Sequence, residues 1–135
     1  MEYELNAIAV DAACSGNPGP MEYRGVYLGN QQQLFQFGPV YGTNNIGEFL
    51  AIVHALAYIQ KNGWDMSVYS DSYNAILWVK NCRCKTTLAR TPQTAYLFQL
   101  IARAENWLLR NPHHARIMKW ETSLWGEIPA DFGRK

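Results

Sequence analysis

The sequence predicts a single α/β domain built on a mixed sheet. Three observations carry this. An apolar run near the start is followed by two further runs with a short polar connection, the pattern of an antiparallel meander. Later the order becomes strand, helix, strand, which requires a parallel pairing with a right-handed crossover. The chain has 135 residues, enough for one real core.

Residues 4–12 (ELNAIAVDA) become apolar on both faces, as a central strand does. Asp11 ends that run, and an acid within a sheet is costly unless paired or metal-bound. Residues 14–20 (CSGNPGP) are a dense turn signal. Two strands follow at residues 22–28 and 33–41. Pro39 marks the second of them as an edge strand. Thr43, Asn44 and Asn45 then open a helix, because their side chains satisfy its free amides. Phe49, Ile52, Val53, Leu56 and Ile59 form its buried stripe. Asn62-Gly63 ends it near Lys61. Residues 66–70 are a short strand, followed directly by Asp71. Residues 72–81 are a helix capped by Asp71 or Ser72, with Ile76, Leu77 and Val79 inward. Residues 82–90 are a polar connection. Thr91-Pro92 open a helix to Arg110, expected to bury Ala95, Leu97, Phe98, Ile101, Ala102, Trp107 and Leu108. Residues 115–120 are the fifth strand. In the tail, Ala130-Asp131-Phe132 read as the first turn of a short terminal helix.

Composition narrows the function classes. Net charge is +1, so attraction to nucleic acid must come from a local patch, such as Lys80, Arg83, Lys85 and Arg90. Three cysteines, an odd number at poor bridging spacing, argue against a disulfide framework, and the lone Cys82-x-Cys84 pair is a weak zinc signal. There is no signal-peptide pattern and no apolar run of membrane-spanning length. The expectation is a soluble cytoplasmic monomer of one domain, residues 1–135, with no membrane association, no protein partner implied and no separate binding module.

Asp11, Glu48 and Asp71 all sit at boundaries of regular elements. Glu48 lies one residue before the apolar stripe, where an ordinary helix N-terminal charge is the bland reading. If the first and fourth strands are parallel neighbours, Asp11 and Asp71 share the edge where α/β sheets bind ligands. Clustered carboxylates must lose charge or gain a cation. Oxygen-rich clusters suit Mg²⁺ or Mn²⁺. Spacing alone reaches a possible acidic metal site and no further.

Asp11-Ala12-Ala13-Cys14-Ser15-Gly16-Asn17-Pro18-Gly19-Pro20 resembles the DGSCxGNPGP opening of cellular type 1 ribonuclease H. Thr43-Asn44-Asn45-Ile46-Gly47-Glu48 is similar to that family's TNNRMEL segment, and Tyr69-Ser70-Asp71-Ser72 to its YTDS. Ala130-Asp131 matches its last acidic motif. The motifs occur in the family's order and span nearly the whole chain. The resemblance implies a five-stranded mixed sheet ordered 3-2-1-4-5, its first three strands antiparallel, flanked by helices. It implies hydrolysis of the RNA strand of an RNA–DNA hybrid, leaving a 5′-phosphate and a 3′-hydroxyl. Asp11, Glu48, Asp71 and Asp131 map onto metal-binding acids that hold two Mg²⁺ ions, with Mn²⁺ able to substitute. One ion activates a water and the other stabilises the leaving oxygen. Asn17, Asn44 and Asn45 match positions that touch the minor groove, and Thr43 a DNA-phosphate contact. Trp78 is a candidate for packing on deoxyribose, or else a core residue. Lys80, Arg83 and Lys85 belong to a compact basic handle, or else to a solvated loop.

The departures are specific. The residue before the glutamate is Gly47 rather than Met, and Ala12 replaces the glycine after Asp11. The family's loop histidine is missing, and its place falls on Glu121. His113 and His114 come too early and read as turn residues, and His54 lies within the first helix. Glu127, four residues before Asp131, matches a glutamate in some members; it either assists proton transfer or product release, or is a solvated loop acid. Two competing readings keep the fold: an inactive hybrid-binding module, and a recombinase-like nuclease acting on DNA.

Overall fold

The computed structural model describes residues 3–132. Strand β1 (Ala7–Cys14), β2 (Gly19–Tyr27) and β3 (Gln32–Gly42) form the meander. Helix α1 (Asn44–Asn62) follows, then β4 (Ser67–Ser70), α2 (Tyr73–Lys80), a 3₁₀ turn (Pro92–Thr94), α3 (Ala95–Arg110), β5 (Ile117–Lys119) and the short α4 (Thr122–Trp125). The sheet order is 3-2-1-4-5, as the resemblance implied. β1 pairs antiparallel with β2 and parallel with β4, and β4 pairs parallel with β5.

β1 is central, and residues 7–13 are all buried, which explains its lack of alternation. It starts three residues later than its pattern suggested and runs on to Cys14, so Asp11 sits inside the strand rather than at its end. β3 is an edge strand, and so tolerates Pro39. Its register against β2 shifts between Met21 and Tyr23, opposite Gly38-Pro39. Gly38 has a φ of 106°, and a Cβ there would stand 2.5 Å from the Met21 carbonyl oxygen. Only glycine fits that bulge.

The Thr43 hydroxyl caps α1, accepting from the Ile46 amide at 3.3 Å. At the other end Gly63 adopts the left-handed conformation, and the Trp64 amide reaches back to Ile59 at 3.1 Å. All five residues of the expected stripe are buried. Ile46 to Val53 are buried without a break, because α1 lies over the sheet and is flanked by α2 and α3. One core fills that side, and a second on the opposite face joins Ala7, Ala9, Val26 and Leu28 to Tyr69, Trp120, Ile128 and Ala130.

Two further sequence expectations need correction. α3 buries Leu97, Ile101, Ala104 and Leu108, while Ala95 and Ala102 face solvent and Phe98 and Trp107 are half-buried. Thr91 and Thr94 form a capping box around the 3₁₀ turn, which delays the start of α3 to Ala95. Residues 130–132 are not helical, and residues 133–135, where a terminal helix would continue, lie outside the described residues. Among the described residues no helix is long and apolar enough to cross a membrane.

Candidate active site

β1 and β4 run parallel with Ala7 beside Ser67 and Ala9 beside Tyr69. Continuing that offset places Asp71, just past β4, level with Asp11. Ser72 rather than Asp71 caps α2, its hydroxyl accepting from the Ala75 amide at 3.1 Å. Glu48 lies beyond the first turn of α1, which contains no acid, and it is buried. The helix-dipole reading therefore does not account for it. Asp11, Glu48 and Asp71 each offer a carboxylate oxygen, and these atoms lie within 4.8 Å of one another. Asp11 and Glu48 are buried, and Asp71 is half-buried. Three like charges this close in a low-dielectric wall repel strongly unless a cation or proton intervenes. Hard oxygen donors at this spacing fit a divalent cation such as Mg²⁺ or Mn²⁺.

Asp131 does not belong to the group defined by that 4.8 Å limit. Its segment lies against the same region of the sheet, with Ala130 and Ile128 buried beside Ala9 and Val26. Glu127 and Glu121 are exposed, the latter at the start of α4. His113 is exposed, while His114 is half-buried against the Trp107 ring. His54 is part of the packing: it stacks on Phe35 at 4.0 Å and shares a 2.8 Å hydrogen bond with the Tyr23 hydroxyl. Burial lowers its pKa.

A groove of about 700 Å³ opens beside the start of α1. Asn17, Thr43, Asn44, Asn45, Trp78 and Lys85 all contribute to its lining. Asn17 Oδ1 accepts from the Asn44 amide at 2.9 Å, tying the β1–β2 turn to the helix start. Asn44 Oδ1 is buried with no hydrogen-bond partner among the described residues. Trp78 is half-buried and also meets Phe49 edge-on, so it serves both core and groove. The 82–90 connection is anchored by the Cys84 amide, which donates to Glu105 of α3 at 2.9 Å. Lys80 and Arg83 are exposed and do not line the groove, so the basic segment presents Lys85 inward and those two elsewhere. Arg90 stacks on Phe98 at 4.1 Å.

The RNase H family pattern matches residues 4–118. The chain belongs to the RNase H family. Among its relatives, the ribonuclease H of Syntrophomonas wolfei is 40% identical over 80 residues, covering 55% of each chain. That of Pseudoalteromonas atlantica is 42% identical over 82 residues, covering 56% of this chain and 52% of the relative. These alignments span about half the length of the curated relatives. Solved RNase H structures share the fold. LC11-RNase H1, isolated from compost, superposes with a TM-score of 0.59 at 19% identity, covering 87% of this chain and 85% of that one. The RNase H1 of Halobacterium salinarum gives 0.53 at 23%, covering 87% and 86%. Within this family frame, the acids of the first three motifs stand together, while the one on the terminal segment is outside that group. Sequence reasoning missed Arg24, which contacts that segment. A lone arginine in an alternating strand looks like a solvent-facing residue.

Proposed function

We propose that this chain, acting as a single domain and a monomer, is an endoribonuclease that hydrolyses the RNA strand of RNA–DNA hybrids, leaving a 5′-phosphate and a 3′-hydroxyl. The observation that carries the reading is the set of three carboxylates within 4.8 Å of one another, one of them on the helix whose start lines the groove. α1 alone supplies Glu48 to the acids and Asn44 and Asn45 to the groove.

Asp11, Glu48 and Asp71, joined by Asp131, would hold two Mg²⁺ ions, with Mn²⁺ as substitute. Bound there, such ions supply charge stabilisation to both oxygens of a phosphoryl displacement and lower the pKa of bound water. The chain's own residues orient the substrate. The amides of Asn17, Asn44 and Asn45 are suited to 2′-hydroxyls and base edges in a shallow minor groove, and 2′-hydroxyl contact is what separates RNA from DNA. Thr43 and Lys85 take phosphate, and Trp78 offers an apolar face for deoxyribose. Lys80 at the end of α2 and Arg83 in the following connection add longer-range attraction. Glu127, exposed just before the buried Ile128, assists proton transfer or product release, and Glu127→Gln should lower turnover. The three free cysteines suit a reducing cytoplasm.

The test is cleavage of a labelled RNA–DNA hybrid with Mg²⁺ or Mn²⁺, beside single-stranded RNA, duplex DNA and the Asp71→Asn variant. Metal-dependent cutting of only the RNA strand in the hybrid, lost in the variant, is expected. Binding without cutting in either metal would leave an inactive module. Cutting of duplex DNA would move the chain to a recombinase-like activity.

A further inference from the structure

Arg24 on β2 is the cross-strand partner of Asp11 on β1. Directly opposed residues project to the same face of a sheet. That face carries the terminal segment, through Ile128 and Ala130 buried against Ala9, Val26 and Tyr69. Arg24 holds the segment with two donors. Its Nε donates to the Ala130 carbonyl at 2.8 Å and its Nη2 to the Asp131 carbonyl at 2.6 Å. The guanidinium also lies 5.0 Å from the centre of the Phe132 ring. The Asp131 amide in turn donates to the Ile128 carbonyl at 2.8 Å. Both backbone polar groups of Asp131 are therefore fixed, and only its side-chain torsions remain to aim the carboxylate. From the other side, Gln33 of β3 accepts from Arg24 Nη1 at 3.4 Å, which steadies the guanidinium.

We propose that Arg24 is a positioning residue for the metal site, a two-pronged clasp that fixes where Asp131 stands relative to Asp11. This rests on the reading of Asp131 as a metal-holding acid. The chemistry favours arginine because its planar fork presents two parallel donors, which match two consecutive carbonyls. A lysine ammonium is a single point that cannot serve both in the same way. The clasp joins residues far apart in sequence, 106 and 107 positions from Arg24. The local turn from Asp131 to Ile128 fixes only the amide, and the carbonyls are left to Arg24.

The test is a cycle of four proteins: wild type, Arg24→Ala, Asp131→Asn and the double variant. Mn²⁺ affinity is measured by titration calorimetry, and kcat and KM are measured on a labelled hybrid. Removing a residue that orients a metal ligand commonly costs about 10–100-fold in metal affinity or activity, and Arg24→Ala should fall at the lower end, near tenfold. KM should stay within about twofold, since no groove residue is touched, and the double variant should be no worse than Asp131→Asn alone. Arg24→Lys should recover part of the loss. If Arg24→Ala does not fold, as judged by its melting curve, Arg24→Lys and its double variant with Asp131→Asn carry the same comparison. Wild-type Mn²⁺ affinity in a folded Arg24 variant would overturn the clasp, as would losses that multiply in the double variant. Coupled losses of Mn²⁺ affinity in a protein that cuts no hybrid would uphold the clasp while removing the ribonuclease reading.

Discussion

Gly47 leaves no room for a side chain between helix and sheet beside the acids, and replacing it with alanine is a sharp test of the packing. A Cβ built there would stand 2.8 Å from Met21 Sδ, 2.9 Å from Met21 Cγ and 2.9 Å from Ala12 Cβ. Two effects oppose each other. Alanine in a helix interior gains roughly 0.5–1 kcal/mol over glycine. Overpacking a tight core costs roughly 1–3 kcal/mol. The Met21 thioether can rotate, although it is fully buried. Ala12 Cβ cannot, because it is fixed to the central strand one residue from Asp11. Overpacking should therefore win, leaving a net loss of about 1–2 kcal/mol and a fall in Tm of roughly 4–8 °C at this length. Pushing α1 outward also parts Glu48 from Asp11, so the stabilisation by Mg²⁺ should shrink in the variant. In a Met21→Ala background two of the three close contacts disappear, and the penalty of Gly47→Ala should fall by about 1 kcal/mol. Thermal melts with and without Mg²⁺ decide the matter. A Gly47→Ala protein melting at or above wild type would refute the argument.

The groove predicts a split within the basic segment. Each phosphate contact removed lowers the salt slope of hybrid binding by about one, so Lys85→Ala should do this while Arg83→Ala changes it less; equal effects would mean that the groove lining does not order these cations. His54 is held with a lowered pKa by burial. Below about pH 6.5 the unfolded chain takes up its proton more readily than the native one, so this histidine's contribution is complete above that pH and lost as pH falls. Denaturant titrations at pH 7 and pH 5 should show a smaller drop in His54→Phe than in wild type, and parallel drops would count against it. Burial, and then the Glu105 carboxylate, push the Cys84 thiol up to about 12. Mass spectrometry after iodoacetamide at pH 8.5 should find Cys84 modified far more slowly in the native protein than in urea, and equal rates would contradict its burial.

The elements were legible because their signals are local. The stripe from Phe49 to Ile59, the Thr43 and Gly63 caps and the apolar β1 each follow from a few neighbouring residues. On α3 the spacing of Leu97, Ile101 and Leu108 was legible, while Ala102 was read inward in place of Ala104 because an alanine carries too little apolar signal to fix the edge of a stripe. α4 is four residues long and leaves no periodicity to read. Gly47 appeared only as a departure from the family pattern. Its reason lies across the core, where Met21 of β2 fills the volume against it.

The acids divide along the same line. Asp11 and Glu48 ride on β1 and α1, and Asp71 directly follows β4, in elements whose sequences specify them strongly, and their carboxylates meet. Asp131 lies outside regular structure, and its place depends on burial of Ile128 and Ala130 and on two hydrogen bonds from Arg24. A motif can name such an acid but not place it, because the residues that place it lie about a hundred positions away. The two groups should fail differently. A change beneath the three framework acids, such as Gly47→Ala, must disturb packing to move them, so its effect on metal binding comes with a loss of stability. A change at Arg24 can move the fourth acid while the framework stays intact, so metal binding should suffer out of proportion to Tm.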